Sequence, residues 1–113
     1  MTGHRMYPRI ESFNHVSYIG FDWSGTEFCS GFGRTMDVSE NGILLETKEP
    51  LKAANCVLLM GISLQDKVID IKGKIVHSEE DGEGNFRTGI QLVAFRESDR
   101  KIIQDFVQSS RFY

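Results

Sequence analysis

At 113 residues the chain has the length of one domain and can bury a core without cross-links. Its 40% hydrophobic and 26% charged residues are the balance of a globular protein, and its net charge of −3 excludes the broad basic surface that long nucleic acids require. The longest apolar run, residues 57–62, is strand-sized, and residues 1–10 hold no signal-peptide core, so the reading is a cytoplasmic protein with no membrane segment. Cys29 and Cys56 lie far apart without metal or redox spacing and read as buried, reduced thiols.

Residues 1–12 read as a polar, basic arm, in which Pro8 pushes Tyr7 towards an extended conformation. Residues 15–22 alternate as a strand, and Trp23-Ser24-Gly25-Thr26 follows as a turn, with Trp23 expected to pack. Residues 27–36 form a second predicted strand. Phe28 and Phe32 share one face; Gly31 and Gly33 share the other and mark a bend or a close backbone approach. Asn41-Gly42 signals a tight turn with positive φ, before a strand over 43–47. Pro50 breaks the pattern. Residues 56–64 read as a strand buried on both faces, and Gln65-Asp66 as a hairpin turn. Over 68–76, Ile69, Ile71, Gly73 and Ile75 face one way and Val68, Asp70, Lys72 and Lys74 the other, the half-buried period of two. Residues 79–85 form an acidic, solvated loop, and 86–95 the last strand. Over 97–109, Ile102, Ile103, Phe106 and Val107 make the stripe of an amphipathic helix, with Ser98 or a neighbour as its cap. The expected fold is all-β: a six-stranded antiparallel β-barrel with a C-terminal α-helix over one opening or edge.

Two short constellations carry chemistry. Arg5 and Arg9 stand four residues apart, and each guanidinium presents a rigid fork of donors that fits phosphate oxygens or a guanine O6/N7 edge. An ordinary solvated basic terminus has the same composition. In Asp37-Val38-Ser39-Glu40-Asn41-Gly42, a carboxylate can accept from guanine N1 and N2, a hydroxyl can reach phosphate or base, and a glycine admits a ligand to the backbone. A plain hairpin turn uses the same residue types. His4, His15 and His77 lack metal-ligand spacing, the acidic loop lacks the ligand order of a calcium site, and no nucleophile is paired with a base. The chain therefore reads as a binding protein without metal, cofactor or catalytic residue.

In order and at this spacing, R-x-x-x-R followed by D-x-S-x-x-G resembles the two signature motifs of the PilZ domain family, bacterial receptors for cyclic di-GMP. Gly73-Lys74-Ile75-Val76 and Gly89-Ile90-Gln91-Leu92 are similar to later strands of the family, with Leu92 in place of the usual Phe. The resemblance spans nearly the whole chain. It implies one domain over 1–113: a flexible ligand-clamping arm (1–12), a barrel (14–95) and a helix (97–109). It implies that Arg5 and Arg9 grip the nucleotide from the arm and that Asp37, Ser39 and Gly42 hold it from the barrel. His4, just before the first arginine, and Gly89 are further candidate ligand residues. Asn41 replaces a common second glycine. The implied function is a cyclic di-GMP receptor that orders its arm on binding and signals to an effector protein in motility, attachment or exopolysaccharide control, as a monomer or a ligand-dependent dimer. The alternatives are a PilZ-like interaction barrel that binds no nucleotide, which would be expected to lack the motif pair, and a single-stranded nucleic-acid binder, which the acidic charge and single Trp disfavour.

Overall fold

Strands with every second side chain apolar can hide those side chains by curling into a closed sheet. The computed structural model, which describes residues 9–51 and 56–111 (side chains to Ser109), has that form. In chain order the elements are β1 (Ile10–Glu11), β2 (His15–Phe21), β3 (Glu27–Val38), β4 (Gly42–Thr47), β5 (Val57–Leu64), β6 (Lys67–Glu80), β7 (Phe86–Phe95) and α1 (Glu97–Arg111). The sheet runs β3-β2-β5-β6-β7-β4, and β4 pairs back onto β3, so six antiparallel strands close a barrel. The short β1 adds to β3 where β2 leaves off.

Two long strands make the corners. Residues 27–34 of β3 pair with β2, and residues 33–38 pair with β4. Residues 67–74 of β6 pair with β5, and residues 71–80 with β7. Register shifts mark these strands: β3 carries an extra residue, Met36, between Thr35 and Asp37, β6 carries one, Val76, between Ile75 and His77, and opposite Lys72 and Gly73 the extra residue, Val93, lies on β7. Inward rows supply the core: Val16 and Tyr18 on β2, Ile43 and Leu45 on β4, Leu58, Met60 and Ile62 on β5, Ile69, Ile71 and Ile75 on β6. The apolar stripe of α1, with Ile103, Phe106 and Val107 buried, joins this cluster and packs against β1, β5 and β6. Each of those side chains contributes about 1.5–3 kcal/mol by leaving water. No helix of the described residues is long and apolar enough to cross a membrane.

Several predicted details are corrected. β3 runs past residue 36 to Val38, because Asp37 and Val38 pair with Leu44 and Ile43. β6 runs past 76 to Glu80; Glu79 and Glu80 pair with Arg87 and Phe86, and the opposed Glu79–Arg87 charges favour ladder over loop. The acidic loop therefore begins at Asp81. The helix extends to Arg111, and it starts from Arg96, whose carbonyl accepts from the Asp99 and Arg100 amides, not from a Ser98 cap. Trp23 does not pack but is 93% exposed. Its turn is closed by polar bonds alone: Asp22 Oδ1 accepts from the Ser24 hydroxyl at 2.6 Å and from the Ser24 and Thr26 amides at 2.9 and 3.0 Å. Those donors, the Ser24 hydroxyl first, hold the Asp22 carboxyl below its ordinary range.

The left-handed residues are also elsewhere than expected. Gln65 and Asp66 have φ of 46° and 61°, so the hairpin between Leu64 and Lys67 closes on a two-residue turn of the I′ kind. Asn41 and Gly42 are not among the positive-φ residues. Four residues separate the paired Val38 and Ile43, which leaves room for a wider turn. Cys29 is half-buried and Cys56 buried, both as free thiols, and burial pushes the Cys29 thiol up. The glycines of β3 are sites of close approach: a Cβ at Gly33 would lie 2.5 Å from the Glu46 carbonyl oxygen.

Candidate functional site

The route of the chain into the barrel decides where Arg9 sits. Between β1 and β2 the chain leaves the ladder for residues 12–14, and Thr35, wholly buried on β3, ties them down. Its hydroxyl donates to the Ser12 carbonyl at 2.5 Å and accepts from the Asn14 amide and side-chain nitrogen, each at 2.9 Å. The Ser12 amide donates to the Met36 carbonyl. With residues 12–14 so fixed, Ile10 falls opposite Val38 and Glu11 opposite Asp37. The last residues of the predicted arm are therefore part of the sheet, and Arg9 leaves it beside the carboxylate of Asp37.

Arg9 Nη1 stands 2.5 Å from Asp37 Oδ1, an ion pair with both side chains partly open to water. The same guanidinium passes over Gly42: a Cβ there would meet Arg9 Nη2 at 3.8 Å and the Ile90 carbonyl at 3.1 Å. Glycine at position 42 thus keeps a shallow floor beneath the arginine.

The floor is held by the turn that precedes it. Ser39 is 1% exposed. Its hydroxyl accepts from the Gly42 amide at 3.1 Å and donates to Asn41 Oδ1 at 2.9 Å, with the Gly42 carbonyl also at 3.1 Å. The Ser39 amide donates to the Gly42 carbonyl, and the Leu92 amide to the Asn41 carbonyl, which ties the turn to β7. Ser39, expected to touch a ligand, is in this structure the fastener of the turn. Ser39→Ala should leave the buried Gly42 amide without its partner. The expected cost is about 1–3 kcal/mol, read as a lower melting temperature by circular dichroism, and an unchanged melting temperature would refute it.

The expected residues assemble in part. Arg9, Asp37, Ser39 and Gly42 meet at one place, whereas Arg5 and His4 lie outside the described residues. Gly89 belongs to the neighbouring surface. Asp37, Leu44, Gly89 and His77 stand in cross-strand register along β3, β4, β7 and β6. This outer row spans three strand spacings, roughly 14 Å. His77 is exposed and folds over Gly89, where a Cβ would lie 2.6 Å from its Cε1. The row therefore offers an ion pair at one end and a flat imidazole over a glycine at the other. Sequence reasoning set His77 aside for want of a metal-ligand partner; only the β6–β7 register brings it beside Gly89. It also missed Thr35, Asn14 and Ser12, which position Arg9 without touching it. Among the described residues no group of three or more His, Cys, Asp or Glu side chains is placed to hold a metal ion.

A family model described as the PilZ domain matches residues 4–109. No curated protein matches the sequence. In fold the chain is similar to the Inhibitor of motility (MotI/DgrA) of Bacillus subtilis, with a TM-score of 0.80 and 11% identity over 98% of this chain and 53% of that one. It is similar to the PilZ domain of YcgR from Escherichia coli with c-di-GMP, at a TM-score of 0.65 and 14% identity over 97% and 93% of the two chains. It is similar to MrkH of K. pneumonia in its c-di-GMP complex, at a TM-score of 0.64 and 17% identity over 98% and 54%. The chain thus spans about half the length of MotI/DgrA and of MrkH.

Proposed function

Since the chain belongs to the PilZ domain family, we propose that it is a cytoplasmic cyclic di-GMP receptor that passes the nucleotide signal to a protein partner in motility, attachment or exopolysaccharide control. The observation that carries this reading is the meeting of the two motifs: Arg9, the second arginine of R-x-x-x-R, lies within a hydrogen bond of Asp37, the first residue of D-x-S-x-x-G, and over Gly42, its last. A dianionic dinucleotide entering there finds a guanidinium for phosphate or for a guanine O6/N7 edge, and a carboxylate for guanine N1 and N2. Arg5 is proposed to complete the grip from the arm, with His4 beside it. Gly89 and the ring of His77 extend the outer row towards a second base.

Charge-assisted hydrogen bonds contribute about 1.5–3 kcal/mol each, and a micromolar dissociation constant needs about 8 kcal/mol net. Three or four such bonds with base stacking reach that range after the entropic cost of association. The proposed role is recognition, not turnover.

Isothermal titration calorimetry tests the reading. Cyclic di-GMP is expected to bind with a micromolar or tighter dissociation constant, and GMP and cyclic di-AMP much more weakly. Absence of heat with cyclic di-GMP, or equal affinity for all three, would sink the receptor assignment. The stoichiometry separates a single bound ligand from a stacked pair.

A further inference from the structure

The half of the barrel away from Arg9 and Asp37 has an outer face that ordinary solvation does not explain. It is formed by residues 27–34 of β3 with β2, β5 and residues 67–74 of β6. Phe32 is 82% exposed there, Leu59 45% and Ile19 40%. They border an open hollow of about 1190 Å³ that reaches Asp70 and Lys72 on β6. Contiguous exposed apolar side chains on a folded domain mark a surface that another body covers.

The order of sizes on this face indicates which body. Strand register sets two adjacent rows across the four strands. One row reads Phe32, Ser17, Gly61, Asp70, and the next reads Ser30, Ile19, Leu59, Lys72. Wherever one row has a large or positive side chain, the other has a small or negative one on the same strand, two residues away. A two-fold axis lying between the rows, along the hydrogen-bond direction, brings each residue against its neighbour two positions along the same strand of a second copy. Phe32 then faces Ser30, Ile19 faces Ser17, Leu59 faces Gly61 and Lys72 faces Asp70. Every projection meets a recess and each charge its opposite, on all four strands at once. An unlike partner places no such demand on the sequence, whereas an isologous contact requires it. Sheets stacked face to face, about 10 Å apart, interdigitate side chains in this manner. Gly61 deepens the recess: a Cβ there would stand 3.0 Å from Ser17 Oγ, so the position is kept bare beside a small side chain.

We infer that this face is the interface of a homodimer, formed by a second copy of the chain packed sheet to sheet about that axis. The dimer goes beyond the nucleotide reading and does not rest on it, because the face shares no residue with the Arg9–Asp37 site.

Sedimentation velocity of the full chain over a concentration series tests it. The wild type is expected to pass from monomer to dimer within the series, without nucleotide. Lys72→Asp sets two carboxylates against each other and should weaken the dimer at least tenfold. Asp70→Lys combined with Lys72→Asp restores opposite charges and should recover it. Leu59→Glu, at an exposed position, should abolish it. The melting temperature of each variant verifies folding, and cyclic di-GMP titration of Lys72→Asp reads the nucleotide site separately. A wild type that stays monomeric throughout, or a dimer indifferent to the Lys72→Asp reversal, overturns the inference, and neither outcome bears on nucleotide binding.

Discussion

Arg9→Ala is expected to weaken cyclic di-GMP binding by about 10- to 100-fold while moving the melting temperature by only a degree or two. The first expectation follows from the loss of one or two charge-assisted bonds of about 1.5–3 kcal/mol, each factor of ten being about 1.4 kcal/mol. The second follows from the exposure of the pair. Arg9 and Asp37 retain 34% and 24% of their side-chain surface in water, and ion pairs so placed contribute about 0–1 kcal/mol to folding. Binding and stability should therefore separate cleanly. Arg9→Lys keeps the charge but not the fork, and should recover only part of the affinity. Calorimetry beside thermal melting reads both quantities. Wild-type affinity in Arg9→Ala would remove Arg9 from the site, and a collapse in melting temperature would make it a structural residue instead.

Gly33→Val carries the largest expected effect on folding. The Cβ of any residue at position 33 would lie 2.5 Å from the Glu46 carbonyl oxygen and 2.9 Å from Thr47 Cγ2. The nearer atom is backbone, in the β3–β4 ladder that closes the barrel, where Gly33 pairs with Thr47. It cannot turn aside as a side chain would, so the two strands must part. Forcing extra atoms into such a contact costs about 1–3 kcal/mol, and more when β-branching stiffens the newcomer. For a domain of this size the melting temperature should fall by about 5–15 °C. Gly25→Val serves as the comparison: a Cβ there meets nothing within 4 Å, but φ is +84°, so its cost is backbone strain alone. If Gly33→Val melts with the wild type, the closeness of β3 and β4 has been misjudged.

The barrel was legible because residues 15–22 and 68–76 alternate with a period of two and Gln65-Asp66 closes a hairpin, whereas residues 56–64, expected to be buried on both faces, alternate instead, with Leu59 45% exposed. The face each strand turns inward was less so. On β3, large Phe28 and Phe32 alternate with small Cys29, Gly31 and Gly33, and size alone would send the phenylalanines inside. The reverse holds because Tyr18 and the Glu46 carbonyl already occupy the inner space. At the candidate site, Arg9, Asp37 and Gly42 stand out through residue type and spacing. Thr35 does not: a threonine is ordinary in a strand, and its role depends on Ser12 and Asn14 arriving from another segment. His77 depends on a register shift between Ile75 and His77, which no periodicity announces.

The offsets in β3 and β6 bear on communication through the protein. A strand in unbroken register acts as a stiff rod, and a pull at one end is felt at the other. An extra residue in the ladder works as an expansion joint. The offset between Thr35 and Asp37 stands between the nucleotide-facing end of β3 and Phe32. The one between Ile75 and His77 separates His77 from the Asp70–Lys72 end of β6. Strain raised at Asp37 or His77 is then absorbed locally, so cyclic di-GMP should bind monomer and dimer with the same affinity.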